Sequence, residues 1–448
     1  MSKPLFQEFD STSSKSWKQK IQVDLKGADY NDTLVWQSPE QINVKPFYHP
    51  DEFGAADYNQ PLVEGHNWKI GQSITVKDTL EANNAAKDAI VRGAESIAFV
   101  IQSDEVDYAK LLQNLENIPV TIKGGKYTDL NLNNIRWEFD PIGQLASTGN
   151  WFQNMDTDLN QLGDLVDTTN QLNIDVSFYQ NSGATITQEL AYILAHVNEY
   201  LNTIQNTKQD VSNLDVQVSI AIGGNYFFEI AKLRALRLLW STLAKTYGAN
   251  TKCIITAQPS RRNKSIYDYN VNMLRSTTEC MSAVLGGADT VFNTAYDALY
   301  HEPNEFGERI ARNQLLILKH ESYFDLVENP ADGSYYIESL TDQLADRALE
   351  IFKGIETSGG FVQQLMAGTI QRKIKESAAA EQKKFDDGEL VLLGVNTFPN
   401  EADRMQENLE LDPFLKVAER KTLIEPIIQK RLSEQLEKSR LEKEKSLL

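Results

Sequence analysis

The chain has 448 residues, with 44 Lys and Arg against 63 Asp and Glu, so its formal net charge is −19. A nucleic-acid-binding protein needs a basic patch, and no Lys/Arg cluster occurs outside the extreme C-terminus, so we expect no DNA or RNA partner. No apolar run approaches the roughly 20 residues of a membrane span, and two cysteines, Cys253 and Cys280, exclude a disulfide scaffold and indicate a cytoplasmic protein.

Residues 1–60 form a polar arm that several prolines interrupt. Four large aromatic residues stand out in this arm: Trp17, Trp36, Phe47 and Tyr48. Large aromatics in a segment without a core of its own usually dock on another surface. The sequence leaves two surfaces open, the body of this chain and a partner subunit. The opening ten residues are acidic and lack an apolar stretch, so we expect neither a secretory signal nor a transit peptide.

Residues 61–330 alternate short apolar stretches with amphipathic ones. The predicted strands are Trp68–Val76, Ser96–Ile101, Pro119–Lys123, Asn134–Phe139, Leu172–Tyr179, Val216–Ile222, Lys252–Ala257 and Asp289–Asn293. The predicted helices are Ala82–Arg92, Val106–Leu115, Asp156–Thr169, Thr185–Ile204, Asn225–Tyr247, Tyr269–Leu285 and Glu305–Glu321. Such alternation builds a parallel sheet, and eight strands favour a closed (β/α)8 TIM barrel. The alternative is an open doubly wound sheet, and the third unit is the weakest because Lys126–Asn133 resembles a loop.

The predicted helix Asn225–Tyr247 is apolar over more than half of its circumference. An outer barrel helix needs only one buried face, so we expect another element or a partner to cover the surplus, including Phe228 and Trp240. Asn225 follows Gly223–Gly224 and is a favourable N-cap. The amides of this turn could hold a phosphate, although a plain tight turn is the favoured interpretation.

Residues 331–448 are predicted to form a helical extension with a charged tail. Tyr335–Glu356 and Phe361–Ala380 are typical of long helices, and Val391–Thr397 of a short strand. The tail from Leu415 to Leu448 is predicted to be helical, and Lys438–Lys445 to be its solvated end.

No pattern in the sequence predicts a catalytic, cofactor-binding or metal-binding residue of this chain. The five histidines lack metal-ligand spacing, and we expect His196 and His320 to be capped or solvent-facing. A nucleophile elbow, a Walker A loop and a dinucleotide-binding fingerprint are absent. An enzyme with changed chemistry remains an alternative, since four polar residues are expected near strand C-termini: Asp175, Tyr179, Gln258 and Arg261.

Several ordered motifs resemble the methylmalonyl-CoA mutase family. They are GGNYFFEIAKLRALRLLW from Gly223, RIARNQLLILKHE from Arg309, NPADGSYYIESLTDQL from Asn329, GVNTF from Gly394, and DLKG, TLVW, SPE and VKPFY from Asp24, Thr33, Ser38 and Val44. The resemblance implies a (β/α)8 barrel threaded by a CoA ester, followed by a cobalamin domain with an Asp-x-His-x-x-Gly motif. Catalytic members are adenosylcobalamin-dependent isomerases of methylmalonyl-CoA and succinyl-CoA. Some bacterial forms pair a large catalytic chain with a smaller degenerate copy.

The chain departs from the family's catalytic pattern. Gly71 and Ser73 stand where the family has the arginine and tyrosine of Arg-Gln-Tyr-Ala-Gly, and Ser177–Phe178 replaces a Tyr-His pair. The family's Gln-Thr-Ser-Gly-Trp aligns roughly with the stretch from Gln258, QPSRRN. None of the five histidines lies in Asp-x-His-x-x-Gly, and about fifty residues follow Asn396. Without a ligand, the barrel axis should be filled by some of the aromatics on predicted strands: Phe99, Trp137, Phe139, Phe178 and Phe292.

The resemblance therefore predicts the small, non-catalytic subunit of methylmalonyl-CoA mutase. We expect a TIM barrel with an N-terminal extended arm and C-terminal helices, lacking the cobalamin-binding domain. Adenosylcobalamin would be held by the large subunit, which this chain would bind and stabilise in a cytoplasmic heterodimer of propionate metabolism. The predicted partner contacts are Trp17, Trp36, Phe47, Tyr48, Phe228 and Trp240. The alternatives are a self-sufficient barrel enzyme, or a CoA-ester-binding protein.

Overall fold

The N-terminal arm of this computed structural model contains two helices and a small hairpin. The structure describes residues 8–53, 67–103, 105–125, 127–128, 134–206, 210–249, 252–415 and 420–447. The arm elements are α1 (Ser14–Asp24), α2 (Tyr30–Leu34), β1 (Trp36–Gln37) and β2 (Asn43–Val44), and the two strands pair antiparallel. Ser13 and Asp29 cap the two helices with their side-chain oxygens.

The arm docks on the body of its own chain. The Trp36 and Phe228 rings meet edge to face at 5.9 Å between centroids, and Tyr48 lies 5.4 Å from Tyr336. Ile42, at the hairpin tip, is fully buried in the main core. Contacts with the body of the same chain therefore account for much of the arm's aromatic surface. Docking of the arm on a partner subunit stays a prediction.

The barrel is built from eight parallel strands. They are β3 (Lys69–Val76), β4 (Ser96–Ile101), β5 (Val120–Lys123), β6 (Ile135–Glu138), β7 (Gln171–Asp175), β8 (Asp215–Ile222), β9 (Cys253–Pro259) and β10 (Thr290–Phe292). Their order around the sheet is β6-β5-β4-β3-β10-β9-β8-β7. The first and last barrel strands along the sequence, β3 and β10, therefore pair with each other. The (β/α)8 barrel is thus confirmed against the open doubly wound sheet. Within the described residues, no backbone ladder joins β6 to β7.

Helices cover the outside of the strands. They are α3 (Thr79–Val91), α4 (Tyr108–Leu111), α5 (Pro141–Thr148), α6 (Met155–Thr169), α7 (Ser177–Asn181), α8 (Ile186–Asn206), α9 (Tyr226–Thr246), α10 (Val271–Leu285) and α11 (Glu305–Leu316), which continues into a π-helical turn (Ile317–Glu321). Outward strand residues such as Ile74, Phe99 and Ile122 pack with helix residues in one apolar cluster. This burial on the outer face explains why the apolar runs in the sequence marked the strands.

The structure differs from the predicted elements of the barrel in three places. Helix α4 is shorter than predicted, and Asn114 beyond it has a left-handed φ of 66°. Helix α5 was not predicted, although Asp140 caps it and Pro141 occupies its first turn. The predicted strand Leu172–Tyr179 ends early, because α7 begins at Ser177. Of the predicted loop 126–133, only residues 127 and 128 are described.

The surplus apolar face of α9 is covered by the chain itself. The C-terminal helices are α12 (Tyr335–Thr357), α13 (Phe361–Met366), α14 (Thr369–Asp386) and α15 (Glu434–Leu447). Helix α12 packs along both α8 and α9, and its Leu340 and Leu344 are fully buried in the main core. The covering element that the sequence required is therefore α12.

The C-terminal region departs from its prediction in three places. The long helix predicted from Phe361 is interrupted at Gly368, which has a φ of 72°. Val391–Thr397 is a turn closed by a single bridge between Leu393 and Thr397 rather than a strand. The described part of the tail becomes helical only at α15.

Helix α15 is packed against the barrel loops on one face, so the prediction of a solvated end is wrong for Leu441 and Glu444, which are buried, while Glu442, Lys443 and Lys445 are exposed. The Glu437 carboxylate is fully buried, accepts the Ile266 amide at 3.0 Å and pairs with Arg431 at 2.7 Å. Glu444 accepts the Tyr267 hydroxyl at 2.7 Å. The charges of the tail therefore hold the loop that follows β9.

Candidate functional site

The barrel axis is lined mainly by small and polar side chains. Gly71, Ser73 and Thr75 alternate along β3 and lie on one face of it. The residues that pair with them on the adjacent strands β4 and β10 lie on the same face of the sheet. The residues in between, such as Ile74, are packed toward the helices, so the Gly71 face points inward. Its other members are Lys69, Ser96, Ala98, Val100, Thr121, Lys123, Arg136, Glu138, Gln171, Asn173, Asp175, Asp215, Gln217, Ser219, Ala221, Ile254, Thr256, Gln258, Thr290 and Phe292.

The Phe292 ring lies directly against Gly71 inside the barrel. A Cβ atom at Gly71 would stand 2.6 Å from Cε1 and 2.7 Å from Cδ1 and Cζ of that ring. Phe292 is only 8% exposed. The ring therefore occupies the space that any side chain at position 71 would enter.

The expectation that several aromatics fill the axis was wrong for all but Phe292. Phe99 and Trp137 point outward into the apolar cluster beneath the helices. Phe139 stacks on Phe152 at 5.2 Å, and Phe178 lies in α7 against Tyr179 at 4.2 Å. The error arose because the direction of a strand side chain depends on a register that the sequence alone did not give.

Three charged side chains meet where β5, β6 and β7 end. Lys123 Nζ lies 2.9 Å from Asp175 Oδ2 and 3.1 Å from Glu138 Oε2. Burial raises the pKa of Glu138 to about 7, with Lys123 opposing that rise. Burial opposes the charge of Lys123 too, but Asp175 and Glu138 outweigh it and hold the lysine pKa above its usual range. The cluster therefore bridges the unpaired edge between β6 and β7 from inside the barrel.

A second polar bridge crosses the same edge. Asn173 Nδ2 donates to the Trp137 carbonyl oxygen at 3.0 Å, and Arg136 donates to Asn173 Oδ1 at 3.3 Å. Arg136 also pairs with Asp215. The sequence held a signal for these residues, since Arg136 and Glu138 alternate with apolar neighbours along β6.

The positions of the family's Tyr-His pair hold no exposed polar group. Ser177 and Phe178 form the start of α7, and both are buried. Behind them the Tyr179 hydroxyl lies 3.2 Å from His196 Nδ1, and His196 Nε2 lies 2.9 Å from Asp140 Oδ1. His196 is fully buried with both ring nitrogens bonded, so of its two predicted alternatives it is capped and not solvent-facing, whereas His320 is exposed. This network links helices and does not face the axis.

The candidates for an altered enzyme do not form one site. Asp175 is paired with Lys123, and Tyr179 is fully buried among the helices. Gln258 shares the inward face near the end of β9, and Arg261 is exposed beyond it. The phosphate hypothesis for Gly223–Gly224 fails at its first amide, because Gly223 N donates to the Glu229 carboxylate at 2.9 Å. The Glu229 carboxylate of α9 thus occupies the position that a phosphate would take at this amide.

The predicted partner contacts divide into exposed and buried residues. Trp17 is 45% exposed and Trp36 is 49% exposed, while Phe47 and Tyr48 are half-buried. Phe228 and Trp240 are buried in the core, with 0% and 5% exposure, so the chain's own residues already cover them. Contact with a partner stays a prediction for the arm residues, and the burial of the other two argues against their taking part.

Within the described ranges, no three His, Cys, Asp or Glu side chains are grouped to hold a metal ion. His49 binds Asp51, and His301 lies 3.2 Å from Asp297; His66 lies outside the described residues. None of the described histidines is arranged as a free ligand beside the barrel axis. No helix in the described parts of the chain combines the length and the apolar character of a membrane span.

The model of the methylmalonyl-CoA mutase family matches residues 140–446. The small subunit of this enzyme from Porphyromonas gingivalis is 31% identical, over 99% of this chain and 78% of that protein. The chain belongs to the methylmalonyl-CoA mutase family. A mutase from Rhizobium meliloti is 29% identical, over 89% of this chain and 65% of its own length. The large subunit from Porphyromonas gingivalis is 27% identical, over 84% of this chain and 62% of its own length.

Proposed function

We propose that this chain is the non-catalytic small subunit of a cytoplasmic methylmalonyl-CoA mutase, and that it binds and stabilises a large adenosylcobalamin-bearing subunit. The observation that carries the proposal is the Phe292 ring over Gly71. The resemblance aligns this position with the arginine of the family's Arg-Gln-Tyr-Ala-Gly. Here the position has no side chain, and a ring fills the adjoining space.

The chemistry of the site supports the same conclusion. A carbon-skeleton rearrangement of a CoA ester needs a cation for the substrate carboxylate and a hydrogen-bond donor at the thioester oxygen. Phe178 cannot donate a hydrogen bond and Gly71 cannot pair with an anion. Lys123 and Arg136, the inward cations at the β6–β7 edge, are already bound to carboxylates of this chain.

The described residues do not fit adenosylcobalamin either. A histidine that ligates cobalt needs a free ring nitrogen facing the corrin. Both ring nitrogens of His196 are bonded within the core, and none of the five histidines has the Asp two residues before it and the Gly three residues after it that mark the family's cobalt-ligating histidine. We therefore assign the cofactor to the proposed partner and derive no step through it here. The names of the relatives support this division, because Porphyromonas gingivalis has both a small and a large subunit.

The test is reconstitution with the large subunit from the same organism. We expect the two chains to form a 1:1 complex by mass, mutase activity to depend on the large subunit, and the complex to unfold at a higher temperature than the large subunit alone. Turnover by the isolated small chain supplied with adenosylcobalamin, or absence of a complex, would contradict the proposal.

A second candidate, binding of a CoA ester without chemistry, is favoured by one observation. The axis is lined mainly by small polar residues, and Ser73 on its inner face is exposed. Titration of the isolated chain with a CoA thioester separates the candidates. The proposed function predicts no saturable binding of the thioester to the wild type. Phe292→Ala is the comparison variant, because loss of the ring reopens the space next to Gly71.

A further inference from the structure

The hairpin of the N-terminal arm carries a buried carboxylate that reaches a distant helix. Glu40 Oε1 accepts the Ile186 amide at 2.9 Å, and Glu40 Oε2 accepts the Thr187 amide at 2.8 Å and the Thr187 hydroxyl at 3.0 Å. Only 7% of Glu40 is exposed. Ile186 and Thr187 open α8, whose first amides have no partner within the helix. Glu40 therefore caps α8 from another part of the chain.

This contact uses three favourable features together. The acceptor is a carboxylate, the donors include two amides at a helix N-terminus, and water is excluded. The turn that presents Glu40 is also fixed, since Ser38 N donates to the Ile42 carbonyl at 2.9 Å and Ile42 N to Ser38 Oγ at 3.1 Å. Ile42 is fully buried beside it. The hairpin tip is thus a firmly held point of the arm.

Helix α1, at the start of the arm, is held much more weakly. Helix α1 contains no buried residue, and its Val23 is 72% exposed. Trp17 stacks on Phe47 at 4.4 Å, so one clear contact of α1 is with the arm itself. A helix of this length is marginal in water without tertiary packing. Its position consequently depends on where the rest of the arm, including the hairpin, is fixed.

We propose that Glu40 holds the arm in place by capping α8, and that through the arm it sets the affinity of this chain for the large subunit. The second half rests on the proposed function, and the first half concerns the isolated chain alone. The exposed faces of Trp17 and Val23 would then reach the partner in one orientation. Glu40 acts as a positioning residue and need not touch the partner.

Hydrogen exchange of the isolated chain tests the first half. In Glu40→Gln, one amide nitrogen replaces an acceptor oxygen and the charge is lost, so we expect the amides of residues 36–44 to exchange at least about tenfold faster, while β8 keeps its protection. Glu52→Gln is the matched control, because this carboxylate on the same arm binds Lys45 at the surface. Equal exchange in Glu40→Gln and wild type would overturn the proposal.

A milder variant covers the case in which Glu40→Gln does not fold. Thr187→Val keeps the shape of the side chain and removes the Thr187 hydroxyl, with its bond to Glu40 at 3.0 Å and its bond to the Thr185 hydroxyl at 3.1 Å, while both amide bonds to Glu40 stay. We expect it to fold and to raise arm exchange by a smaller factor, about two- to fivefold. If Glu40→Gln is unfolded and Thr187→Val leaves the exchange rates of the arm amides unchanged, the proposal that Glu40 holds the arm in place is contradicted.

Affinity for the large subunit tests the second half. We expect Glu40→Gln to weaken the complex at least about tenfold and Glu52→Gln to leave it unchanged. Faster arm exchange with unchanged affinity would refute the link between the arm and the partner. No complex even with the wild type would instead refute the proposed function, while the exchange result would still decide the role of Glu40.

Discussion

Adding a single methyl group at Gly71 should destabilise the barrel by way of Phe292. In Gly71→Ala the new Cβ would lie 2.6–2.7 Å from three ring atoms, closer than real contacts allow. The ring must move by about 1 Å or more, and overpacking of this kind costs about 1–3 kcal/mol. Phe292→Ala should cost about 3–5 kcal/mol, because a nearly buried ring is lost. In the double variant the methyl group enters the vacated space, so the two costs should not add.

Urea unfolding of the wild type, both single variants and the double variant gives this coupling energy. We expect the double variant to be more stable than the sum of the single changes by at least about 1 kcal/mol. Gly354→Ala is the control, because a Cβ there meets no atom within 4 Å and should not destabilise α12. A neutral Gly71→Ala, or strict additivity, would refute the view that Phe292 fills this space.

Further predictions concern buried charges. The pKa of Glu138 is raised from 4.5 to about 7, so in this pH range the folded chain retains a proton that the unfolded chain has lost. The contribution of Glu138 to the free energy of unfolding should therefore fall as pH rises from about 5 to 8, and Glu138→Gln should flatten this dependence in unfolding titrations. Lys232→Met should cost about 3–5 kcal/mol in urea unfolding, since it strands the buried carboxylates of Glu189 and Glu229. Glu437→Ala should free α15 from the barrel, and limited proteolysis should then cleave the tail faster than in the wild type.

The strands could be predicted from the sequence because their outer faces bury apolar residues under helices. Seven of the predicted strands lie within two residues of their observed bounds at each end, and the eighth, from Leu172, failed where Ser177 and Phe178 begin α7. A short apolar run that changes from strand to helix has no periodicity long enough to reveal the change.

The parts of the site that escaped prediction depend on contacts between distant residues. Glu40 lies 146 residues from its helix, and nothing near it in the sequence identifies a cap. The surplus face of α9 was recognised, but its cover could be assigned to α12 only from the structure. Likewise, one aromatic of five points into the axis, and register alone decides which.

The interior charges of the barrel satisfy one another without a ligand. Lys123 meets two carboxylates, and Arg136 meets Asp215 and Asn173. A ligand site keeps polar groups free for its ligand, and leaving them unpaired in a closed interior is costly. Pairing removes that cost, so the polar axis can be stable with no ligand bound. The same pairs join β6 to β7, where backbone bonds are absent from the described residues.

Lys123→Met tests this role at the edge between β6 and β7. The change leaves Glu138 and Asp175 close together without their cation, and breaking a buried pair in this way costs about 3–5 kcal/mol at pH 8. Protonation of Glu138 relieves the repulsion, so the loss measured by urea unfolding should shrink at pH 6. Hydrogen exchange should also rise in β6 more than in β8, which has ladder partners on both sides. A small loss that is the same at both pH values would show that the cluster does not hold the barrel closed.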